Sequence, residues 1–324
     1  MKVLITGGAG FIGSHLAERY LNLGDDVYII DDLSTGRLEN FRHLQTQPDL
    51  KERLFVKIDT ILNHEVMLEL VGICDVVIHL AAAVGVQYIL ENPLTSIITN
   101  IQGTEKVLEL CNKFRKKLML ASTSEVYGKH THAPLVESDN IIYGPPSRFR
   151  WSYAAAKLMD EFTALAYYRT TKLPVVIIRL FNTIGPRQMG RYGMVIPRFV
   201  QQALRNDPII VYGDGSQTRT FTYVNDVVEA IIKLMTCREA IGQVINIGGS
   251  EEISIKALAE LIKQMTDSQS EIEFMPYENV YSRDFEDMQR RMPSLEKLHM
   301  LIEWKPKTTL VEMIAKVIEY YQSK

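Results

Sequence analysis

The run Gly7-Gly8-Ala9-Gly10-Phe11-Ile12-Gly13 lies between an apolar stretch, KVLIT, and an amphipathic one, SHLAERYLNL. Four glycines in seven residues weaken any strand or helix, so the run reads as a turn whose tight spots exclude side chains. A strand, a glycine-rich turn and a helix in that order open a dinucleotide-binding βαβ unit. The pattern fits G-x-G-x-x-G as Gly8, Gly10 and Gly13, and also G-x-x-G-x-x-G as Gly7, Gly10 and Gly13. One glycine makes the turn, one lets the backbone approach a pyrophosphate and one lets helix and strand pack closely, while the helix N-terminus supplies positive potential. Asp31 ends the next apolar run 18 residues after Gly13. That is near the spacing of about 20 at which an acid holds the adenosine ribose hydroxyls. A carboxylate there repels a 2′-phosphate and favours NAD over NADP, with nearby Arg37 as the feature that speaks for the latter.

The rest of the chain extends this opening. Short β-branched runs, KVLIT, DVYII, LFVKI, DVVIHLA, KLMLAST, VVIIRLF and VINIG, alternate with longer helical patterns. Strands separated by helices imply a parallel sheet, and continuous apolar runs imply strands buried on both faces. The expected fold class is α/β, a doubly wound Rossmann sheet with a smaller C-terminal α/β substrate domain. From about residue 182 the texture changes to Gly, Pro and Arg in FNTIGPRQMGRYGMVIPRF. Residues 1–181 are therefore assigned to the dinucleotide-binding domain, with 220–250 partly returning to it, and 182–324 to the smaller one. The tail from 294 reads as mainly helical.

Composition limits the partners. A net charge of −3 over 324 residues offers no broad electropositive face for a nucleic-acid backbone, and no window approaches the roughly 18 apolar residues of a membrane span. MKVLITG leads directly into a strand pattern with no charged leader, so the cytoplasm is the expected location. Cys74, Cys111 and Cys237 follow no zinc or disulfide spacing and are expected to be buried. His15, His79, His130 and His132 show no ligand spacing, and the last two, in a polar loop, are expected to alternate in direction if it is extended.

A second constellation is Trp151-Ser152-Tyr153-Ala154-Ala155-Ala156-Lys157. Spacing of four puts Tyr153 and Lys157 on one helix face, a turn apart. A tyrosine hydroxyl titrates near 10, and bringing it to about 7 takes roughly 4 kcal/mol of preferential phenolate stabilisation, which an adjacent ammonium and a positive nicotinamide ring can supply. The segment ALASTSEVYG ends a predicted strand in polar residues. It places Thr123, Ser124 and Glu125 at a strand carboxyl end, where doubly wound sheets bind ligands.

Together with FNTIGPR and YGDGSQTRTFTYVNDVV, these motifs resemble the extended short-chain dehydrogenase/reductase family of nucleotide-sugar epimerases, dehydratases and decarboxylases, over essentially the whole chain. The resemblance implies a tightly held NAD, a nucleotide-sugar substrate and a homodimer formed through paired helices. It makes Tyr153 the base for the sugar 4-hydroxyl, Lys157 the holder of the nicotinamide ribose and Thr123 a second partner of the same sugar oxygen. It assigns Gly7, Gly10, Phe11, Ile12, Gly13, Asp31, Asp32, Asp59, Ala81 and Asn100 to the cofactor, besides Tyr153 and Lys157. Ser124, Asn182, Arg187, Tyr212, Arg219 and Arg291 go to the substrate, with Arg219 on the diphosphate and Tyr212 against the base.

Within the family, Thr123-Ser124-Glu125 resembles UDP-glucuronate decarboxylases and GDP-mannose 4,6-dehydratases more than 4-epimerases. The Thr-Asp-Glu of dTDP-glucose 4,6-dehydratases is not matched, because Ser124 stands where its aspartate would be. In FEDMQRRMPSLEKL, Arg291 is similar to the arginine of an Arg-x-Pro segment in decarboxylases, and GPPSRFRWSYAAAK resembles the decarboxylase domain of the aminoarabinose pathway. The favoured activity is thus UDP-glucuronate decarboxylation to UDP-xylose. C4 oxidation gives a β-keto acid that is its own electron sink, so the chemistry requires no metal. C5 is then protonated by Glu125 or a water it orients, and Arg291 holds the sugar carboxylate or a phosphate. AAAVGVQYILENP looks more like an epimerase, which makes a UDP-sugar 4-epimerase the alternative and a 4,6-dehydratase a lesser one. An inactive NAD-binding regulator is the non-enzyme reading; the presence of Thr123, Tyr153 and Lys157 together argues against it.

Overall fold

A computed structural model describes residues 1–190, 194–280 and 288–324, with backbone alone at 86, 87, 278 and 280. The first three residues of FEDMQRRMPSLEKL, and 191–193 of the Gly/Pro/Arg segment, lie outside the described residues. Among the described residues seven strands form the main sheet: β1 (Lys2–Thr6), β2 (Asp26–Asp31), β3 (Leu54–Ile58), β4 (Val76–His79), β5 (Lys117–Thr123), β6 (Val175–Leu180) and β7 (Val244–Ile247). Their order is β7-β6-β5-β4-β1-β2-β3, and every pairing is parallel.

The apolar runs explain the layering. Along β1, Val3 and Ile5 belong to one core with Leu16, Tyr20, Ile231 and Leu234. Leu4 faces the other way, into a core with Val107, Leu108, Cys111 and Ala164. Side chains alternate along a strand, so a run apolar at every position is one that helices cover on both sides. The helix after the glycine turn (Phe11–Asn22) and Val224–Thr236 lie on the first face, while Pro93–Phe114 and Ser152–Thr171 lie on the second. LFVKI departs from the expectation of two-sided burial. It forms β3 at the sheet edge, where Phe55 and Ile58 are exposed and Phe55 stacks on Tyr28. Cys74 and Cys111 are buried and Cys237 is only half-buried.

A further core gathers Phe199, Val200, Ile209, Val211, Leu258, Ile262, Ile314 and Val317, with Phe11 and Ile12 packed against it. It carries short strand pairs. Ile209–Tyr212 runs beside Ile272–Met275, and Thr218–Thr220 lies between Glu252–Ser254 and Arg290–Arg291. The chain passes repeatedly between the cores: Val227, Ile247, Leu298 and Trp304 belong to the first, Leu310 and Met313 to the last. The tail is helical at Glu296–Ile302 and Leu310–Gln322, the latter opened by a Thr309–Glu312 capping box.

Strand order reverses between β1 and β4, whose last residues Thr6 and His79 are direct partners. In sheets of this kind ligands bind beyond the carboxyl ends of the strands at such a switch point.

Candidate active site

A continuous cavity of about 590 Å³ opens at that point and runs from the glycine turn to the short strands of the further core. The turn forms its first wall. Gly7 has φ +69°, and a Cβ on it would stand 2.8 Å from the Ala81 nitrogen. One on Gly13 would stand 2.4 Å from the Gly7 oxygen. Gly7, Gly10 and Gly13 line the cavity. Gly8 instead packs on Ile29, where a Cβ would come within 2.7 Å of the side chain. Of the two spacings open in the sequence, 7-10-13 is the one that faces the cavity. Gly10 caps the helix with no side-chain bond, so Phe11, Ile12 and Gly13 present its positive end to the cavity.

Asp31, at the end of β2, accepts the backbone N–H of Ala9 and of Leu33, each at 2.9 Å. Burial pushes its carboxyl upward while those amides pull it down. Asp32 accepts the Ser34 amide at 2.9 Å, and Asp59 accepts from Thr60 and Asn63. All three line the cavity, as do Ala81 and Arg37. Asn100 acts from behind the wall. Its side-chain oxygen accepts the Ala83 N–H at 2.8 Å and its amide donates to the Ala83 carbonyl at 3.2 Å, fixing the loop that carries Ala81.

The deep end gathers Thr123, Ser124, Glu125 and Tyr153. Thr123 closes β5 and caps a short 3-10 turn by accepting the Glu125 amide at 3.2 Å. Tyr153 stands on the first turn of Ser152–Thr171, with Thr123 beside its hydroxyl in the cavity lining. The protein groups around the tyrosine do not by themselves make it acidic. Burial pushes its hydroxyl up from the usual value, the charges of Glu125 and Asp160 add to this, and Arg150 and Thr123 oppose it. Burial is the main cause, and the Lys157 ammonium lies outside the cavity lining, paired with Asp160 at 2.8 Å with both side chains 2% exposed.

Glu125 sits between two arginines, 2.5 Å from Arg150 and 3.6 Å from Arg291. Burial raises its carboxyl, but Arg150 and Arg291 outweigh that and hold it below the usual carboxylate range. An ionised Glu125 is an acceptor, a state suited to orienting a water. Arg219 and Arg291 are register partners on adjacent strands, and Arg219 donates to the Thr218 carbonyl at 2.7 Å. Asn182 donates to the Thr220 carbonyl at 2.9 Å. Tyr212 lies under the Arg198 guanidinium, 3.8 Å from ring centre to carbon. All of these line the same cavity. Arg187 lines it too, at φ +68°, but its guanidinium reaches Glu18 on the glycine-turn helix, so it borders the opposite half from the one expected for it.

Sequence reasoning missed Arg150, Arg198 and Asp160. Arg150 was visible in GPPSRFRW only as part of a motif, and Arg198 lies in VIPRFVQQ, which reads as one more amphipathic helix. His130 and His132 do not alternate in direction as expected: residues two apart on an extended stretch share a face, and their rings stand 4.6 Å apart. Among the described residues no three His, Cys, Asp or Glu side chains are grouped to hold a metal ion, and no helix is long and apolar enough to cross a membrane.

A parallel seven-stranded sheet, a glycine-turn cavity and the Thr123–Tyr153–Lys157 group define an extended short-chain dehydrogenase/reductase. The model of the GDP-mannose 4,6-dehydratase family matches residues 4–317, and the chain belongs to that family. It is 42% identical to a UDP-N-acetyl-alpha-D-glucosaminuronate decarboxylase of Bacillus cytotoxicus, covering 99% of this chain and 98% of the relative. It is 34% identical to UDP-glucuronic acid decarboxylase 1 of Arabidopsis thaliana, covering all of this chain and 70% of the relative. Among solved structures, the UDP-glucuronic acid 4-epimerase of Bacillus cereus in complex with UDP-glucuronic acid and NAD superposes with a TM-score of 0.88 at 30% identity, over 100% of this chain and 99% of that one.

Proposed function

We propose that this protein is an NAD-dependent decarboxylase of UDP-linked hexuronates, UDP-glucuronate foremost. The observation that carries the reading is Arg150, Arg219 and Arg291 gathered around Glu125, in the same cavity as Thr123 and Tyr153. A sugar carrying both a diphosphate and a carboxylate needs that density of planar, permanently charged donors. The decarboxylase relatives support it.

The residues fit a dinucleotide. Gly7 and Gly13 leave no room for a Cβ, the helix behind them has an uncapped N-terminus, and Asp31 is held at the end of β2 by two amides. Bound NAD supplies reversible uptake of the C4 hydride. The chain does the rest. Tyr153 removes the 4-hydroxyl proton, and Thr123 with the protonated Tyr153 donates to O4 as negative charge collects there during loss of carbon dioxide. The pair of electrons left by the departing carboxylate passes through C5 into the ketone. A water held by Glu125 returns a proton to C5, and Tyr153 returns its own to O4. One proton is consumed for each carbon dioxide released.

A UDP-sugar 4-epimerase is the second reading, supported by the likeness to the epimerase structure. Chromatography that resolves epimers, coupled to mass spectrometry, of products from UDP-glucuronate, UDP-N-acetylglucosaminuronate, UDP-glucose, GDP-mannose and dTDP-glucose separates the possibilities. Loss of carbon dioxide confined to the two uronates is expected, and a mass-neutral product from UDP-glucose would overturn the decarboxylase in favour of the epimerase.

We also infer a homodimer. Leu94 and Ile98 on one helix, with Met159 and Phe162 on its neighbour, are exposed at 69%, 36%, 52% and 60%. They form an apolar stripe of the kind that covers itself against a second copy. Phe162→Glu should convert a dimer to a monomer in light scattering. A monomeric parent protein, or a variant still dimeric, would contradict this.

A further inference from the structure

Five buried polar side chains lie beneath the cavity floor, and their hydrogen bonds converge on one oxygen of Asp160. Lys157 donates to Asp160 Oδ2 at 2.8 Å. Thr104, from the middle of Pro93–Phe114, donates to the same oxygen at 3.0 Å. A carboxylate only accepts, so the Thr104 hydroxyl spends its proton there and must accept from His79 Nε2, 3.1 Å away. His79 is neutral, because burial, helped by the charge of Lys157, pushes its ring down to about 3. With Nε2 protonated, Nδ1 accepts from Thr6 Oγ1 at 2.7 Å, and Thr6 in turn accepts the Ala81 N–H at 3.2 Å. Each link is fixed by the one before it, and the far end is the wall residue against which Gly7 packs.

We propose that Asp160 is a positioning residue of the redox site, fixing the Lys157 ammonium at one end of a rigid hydrogen-bond chain whose other end is the cavity wall at Ala81. The sequence neighbour Glu161 has a different task. It forms a two-bond pair with Arg179 and accepts from Ser122, so Asp160 is the carboxylate that pairs with the lysine. Two charges buried to 2% exposure are a costly way to hold a helix against a sheet, since well-packed apolar groups do so at least as well. They are an effective way to fix where a cation points. The inference rests on the dehydrogenase-type reading of Tyr153 and Lys157, and not on which sugar is used.

A double-mutant cycle tests it, read as NAD affinity of the full-length protein without any sugar nucleotide. Asp160→Asn should weaken NAD by about tenfold in the parent. In a Lys157→Met background it should change nothing, because the group it positions is gone. Equal losses in both backgrounds, or no loss in either, would overturn the proposal. Thr104→Val alters no charge and covers the case in which Asp160→Asn fails to fold. It should weaken NAD several-fold in the parent and leave the Lys157→Met protein unaffected, and unchanged affinity in the parent would again overturn the idea. With the sugar nucleotide present, Asp160→Asn should lower kcat and leave the sugar KM within about twofold, since Asp160 touches no substrate group. Because the affinity cycle needs no turnover, failure of the decarboxylase reading would leave this result intact.

Discussion

Tyr153→Phe should fold, bind NAD as the parent does, and lose at least about a hundredfold in turnover, the low end of what a positioned base contributes. The change deletes one oxygen from a site whose walls it does not build. Glu125, Arg150 and the Lys157–Asp160 pair keep their partners. The pH profile gives the assignment a second signature. Burial, then Glu125 and Asp160, favour the protonated hydroxyl, with Arg150 and Thr123 opposing; Lys157 is neutralised by Asp160 and His79 on β4 carries no charge. A hydroxyl held protonated must lose its proton to act, so parent turnover should rise with pH through that ionisation. The residual activity of the variant should lack the rising limb. Near-parental turnover, or a variant with the same limb, would remove Tyr153 from the chemistry.

Arg291→Ala separates the two roles that the sequence left open for this residue. If its guanidinium holds the sugar carboxylate, kcat/KM for UDP-glucuronate should fall by roughly 10- to 100-fold, the worth of a hydrogen bond to a charged group. Inhibition by UDP-glucose, which has the same diphosphate and no carboxylate, should barely change. If it holds a phosphate, both ligands should weaken together. The position favours the carboxylate: Arg291 shares Glu125 with Arg150 at the deep end, while its register partner Arg219 lies beside it on the next strand. Equal weakening of both ligands would contradict the assignment.

What could be read from the sequence was whatever local spacing determines. The glycines, Asp31 and the Tyr153–Lys157 turn are short-range patterns, and the βαβ alternation carries the sheet. The limits are equally physical. LFVKI is as apolar as its neighbours, and only strand order reveals that it lies at an edge. The choice between two glycine spacings depends on Ile29, which occupies the space behind Gly8. Lys157 and Asp160 are three apart and look like a solvated helix pair, because their burial is created by Thr104 and His79 from other elements. The clamp on Glu125 joins a turn, the start of a helix and a strand from the last forty residues, and no spacing rule connects these. The sequence therefore supported a redox site and, through the family resemblance, Arg219 and Arg291 on a sugar nucleotide, whereas Arg150 beside Arg291 on Glu125 emerged only from the fold.

The most direct test is to incubate the protein with UDP-glucuronate carrying isotopic carbon at C6 and to measure released carbon dioxide against nucleotide-sugar product. The account predicts one carbon dioxide per UDP-xylose formed and no label left in the product. Complete retention of label in UDP-galacturonate would contradict it.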